Sequence, residues 1–361
     1  MTRLPRITRN PKAPRIRRIL AAALAVGTTA ALVGGCSDEG APVTFDTPRS
    51  TATADRAGAP STTRTPGAPG ANVPETVLPT GPKASFTTAN TLDDGTKIGV
   101  TTLAGAKSGF TGKVWVWAPK QYFDPKYADS GFPVLVALPG GNGYPVNYWM
   151  GTDLKLQSSI SAWSQEGKSL PFIVVMPVLN PDDKYYYDGS DIPGQPRMGT
   201  WLAEDVPDFV RANFRTFKSR DGWAFMGSSS GAFAGLKAVL QHPDTFKAVI
   251  ASGPDTVPDS PLWAGHEAQR QANNPEKLAK ALGTKPDTKE NRVYLAFQIG
   301  TEESGEPRLR SFMKNFTKGP VKTRLQVIQG GGHNAKGYIR GMGDGSMEWI
   351  SRQMQGPVPS P

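Results

Sequence analysis

Three residue types able to carry out acyl transfer stand in the order serine, acid, histidine along this chain. Ser229 is the centre of Gly227-Ser228-Ser229-Ser230-Gly231, preceded by the apolar Ala224-Phe225-Met226. Gly-x-Ser-x-Gly between a strand and a helix marks a sharp turn that exposes a serine hydroxyl, with glycines where any side chain would strike a neighbouring element. A neutral serine hydroxyl is a weak nucleophile. It needs a base to take its proton and a carboxylate to orient that base. Of the three histidines, His242 in Gln241-His242-Pro243 reads as a helix end and His266 falls in a polar insertion. His333, after Gln329-Gly330-Gly331-Gly332, follows a strand and a glycine run and is the expected base. The acid is open among Glu303, Glu302 and Asp255, with Glu303, three residues beyond Gly300, favoured. Two N–H groups are expected to face the oxyanion, Ser230 at the start of a helix and Gly141 in Pro139-Gly140-Gly141-Asn142-Gly143.

The elements needed to position these groups are legible. Short apolar runs bounded by proline, Pro133-Val134-Leu135-Val136-Ala137-Leu138-Pro139 and Pro171-Phe172-Ile173-Val174-Val175-Met176-Pro177, read as strands buried on both faces. Val114 to Trp117 alternates, and residues 247–253, 293–300 and 323–329 continue the series. Helical stretches fall between them, at Trp201 to Val210 and Ala232 to Leu240. This βα alternation predicts a mostly parallel sheet flanked by helices, with functional groups at the carboxyl ends of the strands.

The ends of the chain differ from its middle. Residues 1–35 hold seven Arg or Lys and no acid, with an apolar run from Ile19 to Val33, and are expected to be an export signal. Whether export follows the Sec or the twin-arginine route is open. Val33-Gly34-Gly35-Cys36 resembles a bacterial lipobox, which predicts a lipid-carrying mature N-terminus at Cys36 and a membrane-anchored, extracellular domain. Cys36 is the only cysteine, which excludes an internal disulfide. Residues 36–82, rich in Pro, Thr, Ala and Gly, are expected to be a structureless tether reaching about 35–40 Å, and 356–361 a loose tail. One domain is expected over 83–355. The net charge of +10 falls to +3 once the seven leader cations are removed, leaving 34 basic against 31 acidic residues. Nothing in that balance supports a nucleic-acid partner. No His/Cys cluster has metal-ligand spacing, so neither metal nor cofactor is expected.

Taken together, Gly112-Lys113-Val114-Trp115-Val116-Trp117-Ala118-Pro119, Ile173 to Pro177, the Phe225 to Ala234 elbow and Gln241-His242-Pro243-Asp244-Thr245-Phe246-Lys247-Ala248 carry a resemblance. They resemble the esterase family of α/β-hydrolases that includes esterase D or S-formylglutathione hydrolases, feruloyl esterases and antigen 85 mycolyltransferases. The resemblance implies an α/β-hydrolase fold, with nucleophile Ser229, base His333 and oxyanion amides on Ser230 and Gly141. It implies a serine esterase acting on an ester or acyl-sugar of the cell envelope. An acyltransferase moving the acyl group to a sugar hydroxyl and an inactive surface-binding relative are the alternatives. The Tyr185-Tyr186-Tyr187 cluster and Tyr148-Trp149 could line a cleft or simply pack.

Overall fold

The computed structural model describes residues 40–46 and 75–360. The leader, Cys36 and residues 47–74 lie outside the described residues. Twelve strands follow in chain order: β1 (Pro42–Val43), β2 (Thr76–Val77), β3 (Phe86–Thr91), β4 (Lys97–Ala104), β5 (Thr111–Trp117) and β6 (Val134–Leu138), then β7 (Ile173–Pro177), β8 (Thr216–Phe217), β9 (Trp223–Ser228), β10 (Ala248–Ser252), β11 (Val293–Gly300) and β12 (Val321–Ile328). Ten form one sheet in the order β1-β3-β4-β5-β7-β6-β9-β10-β11-β12, and β2 pairs with β8. The half from β7 to β12 is parallel, and the half from β1 to β5 is antiparallel.

The reason is in the side chains. Every residue of β6, β7, β9 and β10 is buried, as continuous apolar strands covered on both faces must be. Trp117, Trp149, Trp201 and Trp223 are wholly enclosed in the hydrophobic core. The helix Ser230–Gln241 packs across β9 and β10. It can lie that close because Gly235 faces Phe225 and Val249, where an added Cβ would already be 3.1 Å from the Phe225 side chain.

Two expectations about the ends are corrected. Residues 36–82 are not structureless throughout. Pro42 and Val43 add to the open edge of β3 opposite Thr87 and Phe86, and Phe45 is buried against Phe86 and Phe214 at ring separations of 5.1 and 5.2 Å. Thr76–Val77 pairs with β8, and Gly81 N–H donates to Ala212 O at 2.9 Å. A two-residue strand needs no apolar composition, because the hydrogen-bonding edge it joins already exists. The tail is held likewise: Val358 N–H donates to Ser130 Oγ at 2.9 Å, and Ser360 N–H to Lys126 O at 2.7 Å. No helix among the described residues is long and apolar enough to cross a membrane.

Candidate active site

Gly141, Ser229, Glu303 and His333 follow the carboxyl ends of β6, β9, β11 and β12, in the parallel half of the sheet, with β10 between β9 and β11. Ser229 lies between β9 and its helix with φ 52° and ψ −122°, a backbone conformation that costs a non-glycine residue on the order of 1–3 kcal/mol. It is held there by its N–H donating to Ser252 O at 2.8 Å and its carbonyl accepting from Phe233 N–H at 2.9 Å. The flanking glycines are needed for space. A Cβ on Gly227 would stand 2.5 Å from the Gly231 carbonyl, and one on Gly231 would stand 2.3 Å from Pro139 O and 2.6 Å from Leu138 O. All of these are backbone atoms that cannot swing away. Gly231→Ala is therefore expected to destabilise the domain at or beyond the upper end of the usual overpacking range of about 1–3 kcal/mol. Denaturant unfolding checks this, and an unchanged midpoint would refute it.

The loop after β6 closes the other side. Gly141 adopts φ 65°, open to glycine at little cost. Its carbonyl accepts from Ser230 Oγ at 2.6 Å, which ties loop to elbow. Asn180 Nδ2 donates to Asn142 O, also at 2.6 Å. The Gly140 N–H is occupied, donating to the Tyr148 hydroxyl at 2.7 Å. The N–H groups of Gly141 and Ser230 have no protein acceptor among the described residues.

Of the three carboxylates considered, Glu303 is the one that meets the imidazole. Its Oε2 lies 2.6 Å from His333 Nδ1 and accepts from the Tyr338 hydroxyl at 2.8 Å, while its Oε1 accepts from Gly300 N–H at 2.7 Å. The Tyr338 oxygen is also 2.9 Å from His333 Nδ1. Asp255 is paired instead with Arg308, and no hydrogen bond joins Glu302 to the imidazole. The approach of β11 to the glycine run is close: a Cβ on Gly300 would be 2.0 Å from Gly331 O. Gly253 (φ 58°) makes room for the pair, since a Cβ there would fall 2.2 Å from the Tyr338 hydroxyl and 2.9 Å from Glu303 Oε2 and His333 Cε1.

Electrostatics follow from these contacts. Burial acts to raise the Glu303 carboxyl, but hydrogen bonds from His333, Gly300 and Tyr338 outweigh it and hold the group below the usual carboxylate range. The Glu303 bond raises His333 above an ordinary imidazole against an opposing effect of burial. Burial and the anionic acceptor both push the Tyr338 phenol upward, so it stays a donor.

Ser229, His333, Gly141, Tyr148 and Tyr338 line one open cleft of about 320 Å³. A larger recess of about 500 Å³ lies against β1, between Phe45 and Lys97, and contains none of these groups, so its size carries no functional weight. His242 caps the end of the nucleophile-bearing helix and His266 sits before the Glu267–Ala272 helix, both outside the cleft. The aromatics divide. Trp149 is pure packing, with its indole N–H donating to Leu138 O at 2.9 Å. Tyr187 is buried with its hydroxyl on Asp182, and Tyr185 and Tyr186 are exposed. Tyr338 was not foreseen, and its one sequence signal is position: it lies one helical turn into the Ala335–Gly341 helix that follows the histidine.

The family model for esterases matches residues 113–350 of this chain. The chain belongs to the esterase family. That span reaches from β5 to the last helix and includes the elbow, Glu303 and His333. A curated relative, an uncharacterized protein of Corynebacterium glutamicum, is 23% identical over 290 residues, 74% of this chain. The chain spans 65% of that relative's length. Among solved structures, a ferulic acid esterase superposes with a TM-score of 0.57 at 18% identity, covering 72% of this chain and 99% of its own. An S-formylglutathione hydrolase from Agrobacterium tumefaciens gives 0.54 at 18% identity over 74% and 98%. The fold of this family member is that of an α/β-hydrolase, its central sheet mostly parallel and flanked by helices.

Proposed function

We propose that this esterase-family chain hydrolyses carboxylic esters through an acyl-enzyme on Ser229. The observation that carries the reading is one cleft lined by both the elbow serine and a Glu303-oriented imidazole, beside two unoccupied N–H groups. His333 takes the Ser229 proton as the hydroxyl attacks the ester carbon. Ser230 and Gly141 N–H groups receive the carbonyl oxygen as it gains charge. The alcohol leaves with the proton from His333, and water repeats the sequence to release the acid. The Glu303 carboxylate keeps the Nδ1 proton in place and stabilises the imidazolium. The purified domain with a short-chain nitrophenyl ester tests the reading, and absence of turnover above the buffer rate would sink it.

The pH dependence has a definite sign. His333 works as a base only when neutral, and the Glu303 bond raises its pKa. Activity is expected to be full on the alkaline side and to fall as pH drops through a midpoint above the ordinary imidazole value of about 6.5. A kcat/KM profile that stays flat down to about pH 4 would exclude an imidazole base.

The basic and apolar leader ahead of Cys36 supports a place for the enzyme outside the cytoplasmic membrane, anchored by lipid on Cys36, with esters of the cell envelope as the substrates within reach. Cys36→Ala is expected to leave the protein either released or unprocessed with its leader attached. Recovery of that variant in the membrane at the mature, cleaved size would contradict the anchor.

A further inference from the structure

The Tyr148 hydroxyl holds a position in the cleft wall that the reaction above does not use. It accepts from Gly140 N–H at 2.7 Å and shares a hydrogen bond with Ser228 Oγ. A phenol has one proton to give and oxygen lone pairs to accept with. Ser228 is buried, and its Oγ has no other partner among the described residues. If Tyr148 gave its proton to Ser228, the serine's own proton would be stranded in the interior at the full cost of an unsatisfied buried donor. With Ser228 donating to Tyr148 instead, the buried serine proton and the Gly140 N–H are both satisfied. One proton is then left over, that of Tyr148, and its side chain lines the cleft shared with Ser229, Gly141 and His333.

The hydroxyl is hydrogen-bonded to two residues that border the nucleophile, Ser228 before it in the chain and Gly140 across from it. A Cβ added to Gly140, whose N–H it accepts, would be 3.3 Å from Ser229 Cβ and 3.2 Å from Ser228 Oγ. We propose that Tyr148 is a third oxyanion donor, its phenolic O–H joining the N–H groups of Ser230 and Gly141. The proposal rests on the acyl-enzyme reading of Ser229. As Ser229 Oγ bonds to the ester carbon, the carbonyl π pair moves to its oxygen and the serine proton moves to His333. Tyr148 stabilises the oxygen by a hydrogen bond without transferring its proton, and the pair returns when the alcohol leaves. Burial pushes the phenol above its ordinary value, which keeps it protonated and able to donate.

The test starts from wild-type protein labelled on Ser229 by a fluorophosphonate probe and turning over a nitrophenyl ester. Tyr148→Phe is expected to lower kcat about 10²-fold with KM nearly unchanged, the size of effect seen when one oxyanion donor is lost. Because a phenylalanine could also loosen the Gly140 loop, difluorotyrosine is placed at 148 as well. Fluorination makes the phenol more acidic and barely alters its shape. The donor role requires activity close to wild type while this phenol is neutral, and a fall as pH rises through its ionisation where wild type stays level. A tyrosine that only holds Gly140 keeps accepting once ionised, so a level profile for the fluorinated enzyme overturns the proposal. So does a folded Tyr148→Phe enzyme within about threefold of wild type. Failure of the probe to label wild-type Ser229 would overturn the acyl-enzyme reading itself and the proposal with it, an outcome distinct from the other two.

Discussion

Replacing Ser229 with alanine is expected to lower kcat for a short-chain ester by on the order of 10⁴–10⁶-fold, the range seen when the nucleophile of a serine hydrolase is removed. The reason is geometric as well as chemical. The hydroxyls of Ser228 and Ser230 are each already engaged, one with Tyr148 and the other with the Gly141 carbonyl at 2.6 Å. Neither neighbour can replace the lost nucleophile. The same variant should lose fluorophosphonate labelling and keep its folded stability, since alanine at the elbow deletes only a cleft-facing oxygen. A variant that retained more than a few per cent of the activity would place the nucleophile elsewhere.

Glu303→Gln is expected to have the second largest effect, a loss of kcat on the order of 10²–10⁴-fold. The side chain is nearly isosteric, so the loss comes from proton placement. Gly300 N–H requires an acceptor at Oε1, at 2.7 Å, and the glutamine oxygen is the only atom of the new amide that can serve. The amide nitrogen then faces His333 Nδ1, which must accept rather than donate. The proton is driven to Nε2, where the ring can no longer take one from Ser229. Removing the carboxylate also removes what raises His333. The acid limb of the residual activity is therefore expected to move to lower pH than in wild type. A Glu303→Gln enzyme with the wild-type limb would show that the acid acts from another position.

The parts of this site that could be read from the sequence share a property: each is announced by its immediate neighbours. The Ser229 elbow declares itself through Gly227 and Gly231, whose need for bare Cα atoms is enforced by backbone 2.3–2.5 Å from any added carbon. His333 is flagged by the glycine run that lets its loop pass Gly300. β6 and β7 are flagged by apolar runs between prolines. What was not legible depends on distant partners. Tyr338 meets Glu303 across 35 residues of sequence and Tyr148 meets Ser228 across 80, and no local pattern distinguishes a tyrosine that reaches a carboxylate from one that fills a core. Composition also misled at the N-terminal segment. Pro42–Val43 and Phe45 sit among tether-like residues, yet an open sheet edge and a slot beside Phe86 and Phe214 hold them.

That first short strand changes the mechanics of any anchor at Cys36. With the chain paired to the sheet at Pro42, only six Cα steps separate Cys36 from that strand, at most about 20 Å when fully extended. If Cys36 carries lipid, such a leash would keep the domain from tumbling freely above the bilayer. It would hold the β1 edge within that distance of the lipid. The enzyme would search for substrate in two dimensions, and the esters it met would be those whose acyl or alcohol part already lies at that height.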